Sequence, residues 1–119
     1  INMPIQTRYY FTASMDVDAE KEALFNEVYD EEHVPYLLDV KGVVAVTRVT
    51  NEDFQVNIGG ELKEISLEGE PKYTAIYEVD SPEVLTSSAW AEAVERGRWA
   101  SEVRPYTSNR RHAFKKVMG

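Results

Sequence analysis

Four stretches rich in aromatic and β-branched residues are punctuated by two helical patterns in the order β-α-β-β-α-β, and few folds accept that order in a chain of 119 residues. Thr7–Met15, Val43–Thr50, Lys72–Val79 and Ser108–Val117 read as strands. After the first, Asp18 is placed to cap a helix, with Glu20 and Glu22 in its positive first turn. Leu24, Phe25, Val28 and Tyr29 then recur at helical spacing. Pro35 is expected to break or restart that helix near His33–Val34, since the residue before proline avoids the helical region. The second helical region starts at Ser81-Pro82, is recapped at Ser87 or Ser88, weakens at Gly97 and ends at Pro105. Between Asn51 and Pro71 a hairpin with Gly59-Gly60 at its tip is expected. No internal repeat stands out beyond the pseudo-symmetry of the two βαβ halves. The order implies one α+β, ferredoxin-like domain over residues 1–119: a four-stranded antiparallel sheet with two helices on one face, and an excursion at about 51–70.

Two helices cover only one face of such a sheet. The strands carry apolar groups on both: Tyr9, Phe11 and Ala13 against Tyr10 and Thr12 in the first, Val44 and Val46 against Val43, Ala45 and Val49 in the second, and Ile76 against Tyr73, Ala75 and Tyr77 in the third. A second copy related by a two-fold axis is the expected cover, giving a homodimer with a barrel-like core.

The net charge of −8 speaks against nucleic-acid and anionic-membrane partners, because no basic surface is left to displace counterions. No cysteine is present, which excludes disulfides, thiolate metal sites and cysteine nucleophiles. No apolar run is long enough to span a membrane. The N-terminal INMPIQTRYY lacks the basic start and apolar core of a signal peptide, so a cytoplasmic protein is expected.

One of only two histidines lies in YDEEHVPYLLDV, behind Asp30, Glu31 and Glu32. On a regular helix the stripe of Leu24, Phe25 and Val28 carries Glu32 inward; if the helix breaks before Pro35, His33 turns in instead. Either way an acid–histidine pair, Glu32 or Asp30 with His33, would stand at the inner edge of a helix end and could move protons near neutral pH. The alternative is a solvated acidic face with a capping histidine. His112 shares a face with Arg110 and Phe114 on the fourth strand; the run of Arg110, Arg111, Lys115 and Lys116 favours a solvated edge there. Arg8, Arg48 and Arg104 are single arginines among apolar neighbours, suited to fixing a carboxylate or enolate. Tyr29, Tyr73, Tyr77, Trp90, Trp99, Tyr106 and His112 are candidate pocket residues. No HExxH, GxGxxG, Walker or GxSxG motif occurs, so neither a metal nor another cofactor is expected.

The segments YDEEHVPYLLDVKGVVAVTRV, PKYTAIYEVDSPEVL and WASEVRPYTSNRRHAFKKV resemble the dimeric α/β-barrel superfamily, and within it the EthD-like proteins of small-molecule catabolism. The shared pattern is acid-His-x-Pro at the end of the first helix, a Gly-Val turn into the second strand and Y-x-x-x-Y-E in the third. It covers the chain except about Asn51 to Glu70. The resemblance implies homodimers with a pocket between sheet and helices, and matches the EthD-like helix-one histidine to His33. It is informative for fold and weak for reaction, since one fold hosts many chemistries. The first functional reading is a cofactor-free lyase, isomerase, dehydratase or cyclase acting on a small aromatic, polyketide-like or catabolic substrate. In it His33 is the acid/base, Glu32 or Asp30 orients it, and a tyrosine or Arg8 supports an oxyanion. The second is a non-catalytic carrier or sensor of a hydrophobic small molecule. A third, haem binding, ranks below both.

Overall fold

The computed structural model describes residues 5–119; the first four residues of the N-terminal stretch, and the signal-peptide reading so far as it rests on them, lie outside it. Among the described residues six strands form, β1 (Tyr9–Val17), β2 (Val43–Thr50), β3 (Phe54–Ile58), β4 (Glu61–Ile65), β5 (Tyr73–Val79) and β6 (Thr107–Lys116). Four of them make one antiparallel sheet in the order β2-β5-β1-β6, the split-βαβ arrangement. The expected hairpin is β3–β4, a separate two-stranded sheet turning at Gly59-Gly60, both at positive φ. It stands away from the main sheet: the radius of gyration is 16.0 Å, against roughly 13–14 Å for a compact chain of this length.

The core lies between the sheet and the helices. Ala13 and Met15 of β1, Ala75, Tyr77 and Val79 of β5 and Val43 of β2 meet Phe25, Val28, Tyr29 and Leu37 from the first helical region and Ala93, Trp99 and Val103 from the second. The pairing of β1 with β5 runs without a register shift, whereas that of β2 with β5 does not. A bulge between Val43 and Ala45 puts Val43 and Val46 on the same side, so the sequence-based split of that strand's faces is corrected.

Neither helical region runs as a plain α-helix. The first comprises α1 (Glu22–Val28), a π-turn over Tyr29–His33 and α2 (Val34–Leu38). The Val34 N–H reaches back five residues to the Tyr29 carbonyl. Proline lacks an N–H, and its ring collides with the carbonyl four residues earlier in a regular helix. Widening the preceding turn lets the chain pass Pro35 with the α-helix restarting at Val34, where a break or restart is expected from the sequence. The second region has a one-turn 3₁₀ segment, then α3 (Ser88–Ala93), capped by the Ser87 hydroxyl accepting from the Trp90 N–H; Ser81 makes no such cap. After a turn at Gly97 comes a second π-turn, Trp99–Val103, in which the Arg104 N–H reaches the Trp99 carbonyl ahead of Pro105.

The two π-turns share a sequence phrase. Tyr29-Asp-Glu-Glu32-His33-Val-Pro35-Tyr36 and Trp99-Ala-Ser-Glu102-Val103-Arg-Pro105-Tyr106 both read aromatic-x-x-Glu-x-x-Pro-Tyr, a short repeat where none was expected. In each copy the first and fifth residues are buried: Tyr29 and His33, Trp99 and Val103.

Gly97 joins the halves. It has φ +69°, and a Cβ there would occupy the place of the Glu32 carboxylate and press on Tyr36. Gly97→Ala is expected to cost about 2 kcal/mol, part left-handed backbone strain and part displacement of Glu32, measured as a drop in urea-unfolding free energy.

Candidate functional site

A π-turn inserts one residue into the helical phase, rotating the residues after it by about 100°. On a regular helix Glu32 would extend the inward stripe of Phe25 and Val28; with the turn widened, His33 takes that place and is 4% exposed. Glu32 turns sideways. It accepts from the Arg98 backbone N–H (2.9 Å) and from Arg98 Nε (2.6 Å), and these bonds hold its carboxyl below the usual carboxylate range. Arg98 also donates to Glu27 at 3.1 Å. Asp30 pairs with Arg48 at 2.7 Å. The anticipated acid–histidine pair is therefore absent among the described residues.

What His33 meets is aromatic. Trp99 stacks on it at 4.4 Å between ring centroids and Tyr29 stands edge-on at 5.0 Å. Its Nδ1 is buried with no hydrogen-bond partner. Burial, reinforced by the positive charges of Arg104 and Arg110, pushes its pKa down to about 4, so the ring is neutral at pH 7. Glu32 still contributes, by anchoring the backbone of Arg98 beside Trp99 and so setting the indole over the imidazole.

These rings wall a cavity of about 200 Å³ between sheet and helices. Phe11, Ala13 and Met15 of β1, Tyr77 of β5 and His112 of β6 form its floor; Tyr29, His33, Leu37, Trp90 and Trp99 form its roof. The Tyr29 and Tyr77 hydroxyls lie 2.8 Å apart. Their mutual bond uses one of the two hydroxyl protons and leaves the other to donate to a ligand oxygen. Burial raises the pKa of both phenols, so each stays protonated. His112 stacks on Phe11 at 5.6 Å, its pKa lowered by partial burial and then by Arg110. It is exposed, as expected on an edge strand, yet its ring belongs to the cavity wall.

Of the sequence candidates, the cavity gathers Tyr29, His33, Tyr77, Trp90, Trp99, Arg104 and His112. It leaves out five others besides Asp30. Glu32 is engaged with Arg98. Arg8 sits at the far end of the sheet, donating to the Val117 carbonyl. Tyr73 packs on Phe25 and donates to Glu22. Tyr106 lies under Lys21. Arg48 lies over Tyr29 at 4.6 Å, behind the cavity wall. Phe11, Met15 and Leu37 were missed as wall residues; on alternation alone they read as core.

The four-stranded antiparallel sheet with two helical regions on one side is found in known structures over more than nine-tenths of this chain. The chain shares its α+β, ferredoxin-like fold with several solved structures. Solved structures of this fold include a MhuD variant with two manganese protoporphyrin IX bound per active site (12% identity, 92% of this chain and 93% of that one, TM-score 0.62). They also include SnoaB, a cofactor-independent oxygenase from Streptomyces nogalater (13%, 93% and 93%, TM-score 0.58). An EthD family protein from Bacillus halodurans C-125 matches over 92% of this chain and 99% of its own, at 12% identity and TM-score 0.56. No family model and no curated protein matches the sequence. No helix among the described residues is long and apolar enough to cross a membrane.

The depressed pKa of His33 has a sign. Its ordinary pKa is 6.5 and its folded value about 4, so it leaves stability untouched above about pH 6.5. As pH falls below that, the unfolded chain takes the proton first and stability declines, by about 2 kcal/mol at pH 5. The expected result is a fall in urea-unfolding free energy between pH 7 and 5 that is largely absent in His33→Gln.

Proposed function

We propose that this chain is a cofactor-independent acid–base enzyme, with a partly aromatic small molecule as substrate and His33 as the general base. The observation that carries the reading is the neutral imidazole of His33, walled by aromatic rings and with one nitrogen unpartnered, in a cavity that also holds the Tyr29–Tyr77 hydroxyl pair. A base must be unprotonated to act, and His33 is so throughout the neutral range. Its low pKa makes it a weak base toward an isolated carbon acid. Proton transfer becomes favourable when the product is an enolate or phenolate beside it, because the imidazolium and the new anion then pair in a low-dielectric pocket. The free tyrosine hydroxyl proton stabilises the oxygen on which that charge collects. Deprotonation of this kind opens lyase, isomerase, dehydratase and cyclase chemistry alike. The fold shared with a cofactor-independent oxygenase is consistent with chemistry run without a bound cofactor.

The cavity volume of about 200 Å³ lies below the roughly 300–1,000 Å³ of pockets that enclose drug-sized ligands, which favours a small substrate over a porphyrin. A second reading, a non-catalytic hydrophobic-ligand carrier, is favoured by one observation: no carboxylate or carbonyl orients the ring through Nδ1, as a dedicated base usually requires. The two readings part in deuterium oxide. Incubated with a panel of 1,3-dicarbonyl and hydroxyaromatic compounds, the enzyme is expected to exchange an acidic C–H, followed by NMR. His33→Ala should slow this at least about a hundredfold while leaving binding within a few-fold. Full exchange in the variant would overturn the role of His33, and tight binding without exchange in either protein would favour the carrier.

We further propose the homodimer. The sheet face away from the helices carries Tyr10, Thr12 and Ile76, each only half-buried in the lone chain. On the hairpin Phe54, Val56, Ile58 and Ile65 share one side with no core beneath them. A two-stranded hairpin alone is marginally stable in water, so both surfaces gain from a second copy. Light scattering is expected to give twice 13.6 kDa, and Ile76→Glu to give the monomer.

A further inference from the structure

The wall of the cavity is charged in only one sense. The chain carries 21 acidic against 13 basic residues, yet among the described residues no carboxylate lines the cavity, whereas the guanidinium groups of Arg104 and Arg110 do. The two arginines differ. Arg104 is committed, donating to both oxygens of Glu95 at 3.0 and 3.1 Å and to the Val94 carbonyl at 2.9 Å. Arg110 has no carboxylate within ion-pairing distance among the described residues; its one contact is a long bond to Thr107 Oγ1 at 3.5 Å. Its neighbour Arg111, on the opposite side of the strand, approaches Glu70 at 3.8 Å.

The backbone sets the direction of Arg110. Between Ser14 and Asp16 of β1 the pairing with β6 shifts, and β6 carries an extra residue. The bulge centres on Asn109, at φ +51°, a left-handed conformation that asparagine tolerates better than most residues. Its amide donates to Asp16 at 3.0 Å and to the Gly69 carbonyl at 3.1 Å, fixing the bulge. Bulges beside active sites commonly re-aim a side chain, and here the next residue is the arginine at the cavity mouth.

We propose that the cavity takes a small aromatic or enolic carboxylate, its carboxylate on the Arg110 guanidinium at the mouth and its flat apolar body among Phe11, Trp90 and Trp99. The assignment deepens the acid–base reading, which supplies the substrate's chemistry, but it stands on binding alone. An unpaired guanidinium gives a charge-assisted, bidentate contact, and in an otherwise acidic protein a locally positive mouth selects anions over neutral analogues. The aromatic walls add stacking area for a planar ring.

Both tryptophans of the chain line the cavity, so their fluorescence reports its occupancy. The probes are benzoate and 2-naphthoate, each against its uncharged amide, titrated by tryptophan fluorescence and checked by calorimetry at low ionic strength. The carboxylates are expected to bind about tenfold or more tightly than the amides, with the gap narrowing as salt is added. In Arg110→Gln that preference should collapse to within about twofold with amide affinity unchanged, and Arg110→Lys should restore part of it. Equal affinity for acid and amide in the native protein, no carboxylate binding at millimolar concentration, or a preference that survives Arg110→Gln would each overturn the proposal. His33→Ala separates the two assignments: it removes exchange chemistry if His33 is the base, and leaves the carboxylate preference intact if Arg110 carries it.

Discussion

Proline inside a helix is the constraint on which this site depends. Pro35 and Pro105 each forbid a regular α-helical turn before them, and the chain answers both times with a π-turn. The first of these turns shifts the helical phase by one residue. It takes a glutamate out of the core and delivers a histidine in its place. The second places Trp99 against that histidine. Glu32 ties the two turns together through Arg98, so the residue displaced from the interior becomes the strut that holds the two halves of the roof.

Electrostatics follows from this arrangement. With Glu32 and Asp30 engaged by Arg98 and Arg48, no negative charge reaches the imidazole. Desolvation acts on His33 unopposed, and the nearest charges, Arg104 and Arg110, act in the same direction. The ion pairs that keep the acids away from the histidine also leave the cavity without an anion of its own. A histidine beside three acids in sequence is thus the least acid-supported group in the site.

The fold was legible because its signals are of the kind a sequence carries openly. Strand composition, the Gly59-Gly60 tip and the order of elements depend on local chemistry, and all three agree with the structure. The site was legible in part. His33, Tyr29, Tyr77, Trp90, Trp99 and His112 were recognisable as aromatic or titratable side chains on inward-facing or strand positions. What escaped was phase. The π-turns and the bulges in β2 and β6 each alter by one residue which side chains face inward, and nothing in 3.6- or 2-residue periodicity announces them. The inward position was left between Glu32 and His33 for that reason, and Arg110 was passed over as one more charge on a solvated edge.

The shared eight-residue phrase gives the two halves of the chain equivalent scaffolds. Each presents two inward positions one turn apart: Tyr29 and His33 in one, Trp99 and Val103 in the other. At the fifth position the halves differ by one side chain, an imidazole against an isopropyl group. The pseudo-symmetry of the backbone therefore does not extend to the chemistry. The proline-widened turn is what makes each half a scaffold, and the side chain at its fifth position decides which half carries the imidazole and which supplies its wall.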